Sequence, residues 1–334
     1  MQIEEYFSQN NPLSRWKDHS ILIALSGGAD STALLRLFHH FQKEFDLKLF
    51  AAHANHQLRG EESDSDENFV DELCRKFNIP CVIKRLSIER TSEGLEADAR
   101  RARYAFLEKT AEELGCRYVA TAHHRNDQIE TILYRILRGT GIAGLAGMAR
   151  CRKLNEAVTL IRPLLSFSRD EILSYLERTG QEWRTDSTNF SENMFRNRLR
   201  HQLIPFLKKE FSPNLEKSLE RLGNIAESAQ NFINSQTEFL AQKAVVSTAA
   251  GIQIFPKNSP ETEKFLWSEL LRRIWQENAL PQQSMGQKEW DLMTAMLLRE
   301  KGTPEIHIFP GNVEVHRETD TLRIRFAKTF PKNP

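Results

Sequence analysis

The 334-residue sequence lacks several signatures of common enzyme classes. It has four cysteines (Cys74, Cys81, Cys116 and Cys151) but no CxxC pair and no zinc-type cysteine–histidine spacing, so we interpret all four as reduced packing residues. Its glycine-containing loop Ser26–Ser31 matches neither the GxxxxGKS or GxxxxGKT loop nor the GxGxxG fingerprint. Neither a Walker nucleotide site nor a nicotinamide cofactor is therefore expected.

Long apolar runs and an excess of one charge are also missing. No run approaches the roughly 18 apolar residues that span a bilayer, and the polar, acidic segment Met1–Tyr6 is typical of neither a signal nor a transit peptide. The 46 basic and 45 acidic residues nearly cancel, so any surface that binds nucleic acid has to be local. We expect a cytoplasmic protein with no membrane partner.

Short apolar runs alternate with helical patterns over the first 125 residues. Continuous apolar runs of this length are typical of parallel strands that are buried on both faces. We predict an α/β fold with a doubly wound parallel sheet, whose ligand lies at the carboxyl ends of the strands. The predicted strands are Ile21–Leu25, Leu49–Ala52, Cys81–Ile83 and Tyr118–Ala122.

The pattern changes at about Pro213. Long helical patterns such as Leu215–Leu240 take over, and two strand-like segments follow them, Ile306–Phe309 and Leu322–Phe326. The sequence thus predicts a catalytic domain with its linker over residues 1–212. Residues 213–334 are expected to form a mainly helical second domain with a small β tail.

A glycine-containing loop joins the first predicted strand to a helix. Gly27 and Gly28 allow a sharp turn that directs backbone N–H groups inward, and the helix N-terminus adds to this anion site. Asp30 repels phosphate unless it holds Mg²⁺ bound to the phosphates, because magnesium prefers oxygen ligands. The alternative is a strand–turn–helix junction without a ligand. The predicted ATP-binding residues of the loop are Ser26, Gly27, Gly28, Ala29, Asp30 and Ser31.

This loop resembles the signature of the PP-loop ATP pyrophosphatases, which adenylate a carbonyl oxygen and release pyrophosphate. With the segments that follow it, over about residues 20–210, the chain closely resembles the tRNA(Ile)-lysidine synthetase family in a short form without the final C-terminal domain. The segments are His53–Arg59, Glu96–Tyr104, Thr121–Thr131, Arg138–Leu145, Ile161–Leu165, Asp186–Asn189 and Arg196–Arg200.

The resemblance implies a two-step reaction that uses ATP and Mg²⁺. ATP adenylates the wobble cytidine of a tRNA(Ile) with a CAU anticodon, and free L-lysine then attacks C2 and expels AMP, which changes the codon read from AUG to AUA. It also implies that His53 lies beside the nucleotide, that residues 213–334 bind tRNA, and that the protein forms a homodimer, as the family often does.

Two pairs of charged residues fit this chemistry by their spacing. Arg100 and Arg103 are three residues apart on one helix face, where two guanidinium groups can clamp a phosphate; the alternative is a solvated basic face. Asp127 and Glu130 share a face of the next helix. Carboxylates there can bind lysine and assist its amine, or they can simply favour the helix dipole. All four residues are candidate catalytic residues, together with Asp30.

A basic stretch follows at residues 196–209, with few acidic residues beside it in the sequence. A local basic patch of this kind is suited to binding a phosphate backbone, although an amphipathic helix with a solvated basic face is the simpler interpretation. The candidate tRNA-binding residues are Arg196, Arg198, Arg200, Lys208 and Lys209.

Three other functions share some of these features. A tRNA cytidine thiolase is disfavoured because the sequence has no CxxC pair. A synthetase that amidates a small metabolite leaves the basic stretch and the helical second half unexplained. A catalytically silent tRNA-binding module is disfavoured by the intact loop with Asp30 and by the Asp127/Glu130 pair.

Overall fold

The structure is a computed structural model that describes residues 2–56, 60–87, 91, 94–185, 194–248, 251–260, 262–282, 284–299 and 304–325. The chain separates into two compact units, residues 1–226 and 227–334. The boundary lies within one 30-residue helix, Leu215–Ala244.

The first unit contains a six-stranded sheet in the order β3-β2-β1-β4-β6-β5. All neighbouring strands are parallel except β5, which pairs antiparallel with β6. The chain runs from β1 outward to β3 and then crosses to β4 on the other side of β1, so the crevice of this sheet lies between β1 and β4. The strands are β1 (Ser20–Ala24), β2 (Lys48–Asn55), β3 (Cys81–Arg85), β4 (Cys116–Ala120), β5 (Cys151–Lys153) and β6 (Thr159–Ile161).

Helices connect these strands, and apolar side chains on their inner faces pack against both faces of the sheet. Ile21, Leu22 and Ile23 of β1 are fully buried, because this central strand is covered on each side. The helices of this unit are α1 (Ile3–Asn10), α2 (Leu13–Trp16), α3 (Ala29–Gln42), α4 (Glu61–Lys76), α5 (Leu95–Glu113), α6 (Arg125–Arg138), α7 (Ile142–Leu145), α8 (Arg169–Arg178), α9 (Met194–Arg198) and α10 (Ile204–Glu210), with α11 (Leu215–Ala244) crossing the boundary.

A π-helical turn, Leu199–Leu203, joins α9 to α10. Leu199 and Ile204 are buried there in a small apolar cluster with Ile129, Ile132 and Leu133 of α6. This packing holds the basic stretch against α6, and it therefore determines which residues the arginines of that stretch can reach.

The second unit is built on a five-stranded antiparallel sheet in the order β7-β8-β11-β10-β9. Its core is rich in tryptophan: Trp267, Trp275 and Trp290 are all buried. The strands are β7 (Val245–Thr248), β8 (Gly251–Ile254), β9 (Glu305–Phe309), β10 (Val313–Arg317) and β11 (Leu322–Arg325), and the helices are α12 (Lys264–Glu277) and α13 (Gln287–Leu298).

The structure confirms the predicted fold class, an α/β sheet followed by a mainly helical region with a small antiparallel sheet. The four predicted strands of the first unit are present, but β2 is longer than expected and contains His53, which the sequence had suggested would follow the strand. The cysteine interpretation is wrong for one residue. Cys74 and Cys116 are buried and Cys81 is partly buried, whereas Cys151 is exposed. Among the described helices, none is long and apolar enough to cross a membrane.

Candidate active site

The predicted phosphate loop lies between β1 and α3. Gly27 has a φ of +87°, a backbone conformation that favours glycine, and Gly28 is the N-cap of α3. The carbonyl of Gly27 accepts hydrogen bonds from the backbone N–H of Arg184 (2.9 Å) and from the Thr32 hydroxyl (3.2 Å), while the carbonyl of Gly28 accepts one from the backbone N–H of Thr32 (3.0 Å). These bonds fix the turn, and the first N–H groups of α3, which have no intrahelical acceptor, point toward an anion site.

The two serines of the loop bond to each other and to the loop backbone. The Ser26 and Ser31 hydroxyl oxygens are 3.0 Å apart, and Ser31 donates to the Gly28 carbonyl at 3.0 Å. The backbone N–H of Ser26 donates to the Ser31 hydroxyl oxygen at 3.1 Å. The serines therefore stabilise the turn, in addition to their predicted role as ATP-binding residues.

Asp30 lies on the first turn of α3 beside groups that come from far away in the sequence. Its Oδ2 accepts a hydrogen bond from Arg169 Nη1 at 2.7 Å and lies 3.8 Å from His124 Nε2. Its Oδ1 is buried and has no hydrogen-bond partner in the described structure. A buried carboxylate oxygen with unused lone pairs suits a magnesium ion that keeps most of its ligands from phosphate and water. The described residues contain no group of three or more histidine, cysteine, aspartate or glutamate side chains able to hold a metal.

His53 fixes the start of the loop. It is buried, and its Nδ1 is 2.8 Å from the carbonyl oxygen of Leu25, so Nδ1 carries the proton. Burial lowers the pKa of His53, and the hydrogen bond to Leu25 and the charge of Glu67 oppose this only in part. A neutral His53 therefore joins β2 to the loop that follows β1.

His123 and His124 follow β4 and differ in their surroundings. Burial lowers the pKa of His123 to about 3; the charge of Asp127 opposes this, and the charges of Arg162, Arg100 and Arg103 add to it. His124 is buried, with Nε2 3.6 Å from Asp127 Oδ2. Asp127 accepts a hydrogen bond from the backbone N–H of His124 at 3.0 Å, so this carboxylate also caps α6.

Asp127 and Glu130 lie together on one face of α6, in contact with two arginines. Arg196 Nε is 3.0 Å from Glu130 Oε2, and Arg200 contacts both oxygens of Glu130, at 2.5 and 3.1 Å. The contacts of the two arginines with Asp127 Oδ1 are longer, 3.6 and 3.4 Å. Burial alone raises the pKa of Asp127, but the charge of His124, the backbone hydrogen bond and the charge of Arg196 together hold it below its ordinary value.

Three of the five candidate tRNA-binding residues have acidic partners from other parts of the chain. Arg196 and Arg200 bind the α6 carboxylates, Lys208 lies 3.0 Å from Glu216, and Lys209 lies 2.9 Å from Glu210. Arg198 is exposed and makes no ion pair within the described part of the chain. The acids that were few in the neighbouring sequence are thus supplied by α6 and by the first turn of α11.

Arg100 and Arg103 lie on α5 as predicted, and both contact Tyr104. Their guanidinium carbons are 5.1 and 5.7 Å from the centroid of the tyrosine ring. Arg100 also hydrogen-bonds to the Tyr104 hydroxyl at 3.4 Å. Their charges help to lower the pKa of His123, so the electrostatic field of this pair reaches the end of β4.

The glycine-rich segment after α6 is tied to that helix. Gly139, with a φ of +77°, ends α6 and donates to the carbonyl of Ile136. Arg135 donates to the carbonyls of Gly144 (3.1 Å) and Gly147 (2.7 Å). Gln128 exchanges three hydrogen bonds with the backbone of residues 146–148.

Some predicted segments lie outside the described residues, and some functional side chains were not predicted. The first group includes residues 57–59, from the segment that begins at His53, and residues 186–189. The second group includes Arg169, whose side chain contacts Asp30 from 139 residues away; Arg184 reaches the loop through its backbone N–H. No local pattern indicates such a pairing, because only the packing of α8 brings them to the loop.

The fold and the loop together define the class of protein. Residues 2–207 match the family described as the PP-loop domain. The described geometry agrees with this assignment, since the glycine turn lies at the carboxyl end of the central strand and Asp30 follows it on α3.

Curated relatives narrow the class further. A tRNA(Ile)-lysidine synthase of Bacteroides thetaiotaomicron is 40% identical over 258 residues, 76% of this chain and 58% of the relative. A tRNA(Ile)-lysidine synthase of Clostridium perfringens is 34% identical over 329 residues, 96% of this chain and 68% of the relative. The chain belongs to the tRNA(Ile)-lysidine synthase family of PP-loop proteins. It spans about 58–68% of the length of these two relatives.

A solved structure shares the fold at low sequence identity. It is described as the U34-tRNA thiolase NcsA from Methanococcus maripaludis with its [4Fe-4S] cluster. The two chains are 19% identical with a TM-score of 0.57, over 67% of this chain and 78% of the other. This likeness supports the fold alone.

Proposed function

We propose that this chain joins free L-lysine to the wobble cytidine of a tRNA(Ile) with a CAU anticodon, using ATP and releasing AMP and pyrophosphate. The observation that carries the proposal is the meeting of Asp30 and Asp127 about His124, whose Nε2 is 3.8 and 3.6 Å from the two carboxylates. An anion-binding loop and a carboxylate pair thus share one crevice, in a chain that belongs to the lysidine synthase family.

The loop is proposed to bind the ATP phosphates through the N–H groups at the start of α3. Bound Mg²⁺ neutralises phosphate charge and stabilises the pyrophosphate that leaves. Asp30 is the residue that would hold this ion, because its Oδ1 atom is buried and has no hydrogen-bond partner among the described residues. Arg169 orients the same carboxylate through Oδ2.

Asp127 and Glu130 are proposed to bind lysine, and Asp127 is the more accessible of the two carboxylates. The side chain of Asp127 is 15% exposed and its arginine contacts are the longer ones, whereas Glu130 is 2% exposed and firmly held. The ammonium group of lysine therefore displaces a guanidinium group from Asp127 first. A carboxylate with a lowered pKa holds a cation well and accepts a proton poorly, so we assign Asp127 to binding rather than to deprotonating the amine.

The remaining assignments complete the proposal. Arg100 and Arg103 stabilise the negative charge of the adenylated cytidine as AMP leaves. Residues 213–334 and the exposed Arg198 contact the tRNA, and the protein acts in the cytoplasm, where its tRNA is found, as a homodimer.

The decisive experiment supplies ATP, Mg²⁺, radiolabelled lysine and a tRNA(Ile) transcript with a CAU anticodon. Acid-precipitable label on this transcript, its absence from a methionine tRNA and its loss in an Asp30→Asn variant are the expected results. Asp30→Asn is isosteric, so it removes the charge while retaining the shape of the loop. Release of pyrophosphate with tRNA but no transfer of lysine contradicts the choice of nucleophile, and failure of both contradicts the adenylation chemistry.

A further inference from the structure

Four arginines converge on Tyr104 at one side of the active-site crevice. Arg100 and Arg103 reach it from α5, and Arg152 reaches it from β5 with its guanidinium carbon 5.6 Å from the ring centroid. Arg162, which follows β6, lies close enough to Tyr104 for the tyrosine to affect its pKa. We call these five residues the Tyr104 cluster.

Three arginines of this cluster have no carboxylate partner in the part of the chain that the structure describes. Within the described structure, Arg100, Arg152 and Arg162 make no ion pair. Neighbouring cations do have partners, since Arg101 pairs with Asp98 and Lys153 Nζ lies 3.4 Å from Glu156. An excess of positive charge confined to one cluster creates a local site for an anion.

Arg162 provides an independent indication that this cluster can bind an anion. It is 6% exposed, its Nη1 donates to the carbonyl of Ala149 at 2.6 Å, and its Nε is buried without a hydrogen-bond partner in the described structure. Guanidinium groups stay protonated in proteins, so this is a buried charge with an unused donor. Such groups are costly unless a partner of opposite charge is supplied.

The place of the cluster in the sheet determines which anion it meets. Arg152 lies on β5, three strands from β1 in the order β1-β4-β6-β5. At about 4.8 Å per strand, β5 is roughly 14 Å from the strand that carries the phosphate loop. The ATP phosphates bound at that loop are therefore not the phosphates that Arg152 contacts, whereas an RNA strand entering the crevice carries a phosphate at every nucleotide.

We propose that Arg152 and Arg162 of the Tyr104 cluster bind a backbone phosphodiester of the RNA substrate, adjacent to the nucleotide that reacts, while Arg100 and Arg103 on α5 face the adenylated cytidine. This inference rests on the proposed function in taking RNA as the substrate. The tyrosine ring keeps the guanidinium groups apart and oriented, because cations favour positions over its face.

The test compares Arg152→Gln with Lys153→Gln. The two residues are neighbours on β5 and point to opposite faces, and both changes remove one positive charge. Binding of the tRNA(Ile) transcript is measured without lysine at several salt concentrations, and ATP binding is measured without RNA. Arg152→Gln is expected to weaken tRNA binding about tenfold and to reduce the slope of log K against log salt by about 1. Lys153→Gln and the ATP affinity of both variants are expected to match wild type.

The other outcomes overturn the proposal in distinguishable ways. An unchanged tRNA affinity and salt slope for Arg152→Gln overturns it, and so does a loss confined to ATP binding, which assigns the cluster to the nucleotide. Arg152→Lys should restore the slope, because it restores the charge. If the wild-type protein binds tRNA with the expected salt slope but transfers no lysine, the proposed function is contradicted and the phosphate site is still supported. If the wild-type protein binds no tRNA, the phosphate site is contradicted.

Discussion

The replacement of Glu130 by glutamine gives a quantitative test of the carboxylate–arginine cluster on α6. Glu130 is 2% exposed and accepts from both Arg196 and Arg200, whose side chains are each 36% exposed. Removing one member of a buried ion pair costs about 3–5 kcal/mol, because the remaining charge is left without a partner. The two arginines can regain part of their hydration, so we expect the free energy of unfolding to fall by about 2–3 kcal/mol.

Thermal unfolding followed by circular dichroism measures this loss. For a unit of this size, about 2–4 °C accompanies each kcal/mol, so the transition of the first unit should shift downward by roughly 5–10 °C. Glu216→Gln is the matched control, since it breaks the surface pair with Lys208 and should cost about 0–1 kcal/mol. Equal midpoints for the two variants would refute the view that Glu130 anchors the basic stretch. A coupling energy near zero between Glu130→Gln and Arg200→Gln would refute it as well.

Two further predictions concern His123 and Gly147. Because the folded pKa of His123 is lowered to about 3, the unfolded chain binds the extra proton first, and stability should fall as pH drops from about 6.5 toward 3. Urea unfolding at pH 6 and pH 5 should show that the free energy of unfolding falls by about 1 kcal/mol over this pH unit. The His123→Gln variant should lose this part of the pH dependence, and an equal pH dependence in both proteins would contradict the prediction. Gly147→Ala combines a φ of +70° with a Cβ placed 2.6 Å from the Gln128 amide, so it should cost about 2–4 kcal/mol. Gly139→Ala, with a φ of +77° and open space, should cost only about 1 kcal/mol, and equal losses would exclude a role for Gln128.

The sequence predicts the sheet of the first unit well because its central strands are short, apolar and buried on both faces. This reasoning fails for β5 and β6, because each is three residues long and too short to show a hydrophobic pattern. It also misses β7, β8 and β10 of the second unit. For β8 the reason is that Ile254 pairs with Leu322 of β11, which lies far outside any short window of sequence. The bounds of β2 differ from the prediction because the hydrophobic run ends where the strand still pairs with β3.

Within the candidate site, local patterns locate the residues but not their partners. The spacing of Asp127 and Glu130 correctly places them on one face of α6. The basic stretch was expected to face a phosphate backbone, yet the packing of Leu199 and Ile204 brings Arg196 and Arg200 onto those carboxylates. Whether these arginines also contact tRNA stays a prediction. A contact between residues some 70 positions apart is set by tertiary packing, which a short sequence window does not contain.

The π-helical turn between α9 and α10 makes this region more sensitive to chain length than to side-chain identity. A π turn accommodates one more residue than an α turn, so loss of one residue from 199–203 converts it to α-helix and rotates everything beyond it by about 100°. Ile204 then leaves the apolar cluster that it shares with Ile129, Ile132 and Leu133 of α6. A one-residue deletion here therefore breaks the packing of α10 on α6, whereas substitution of an exposed residue such as His201 leaves it in place.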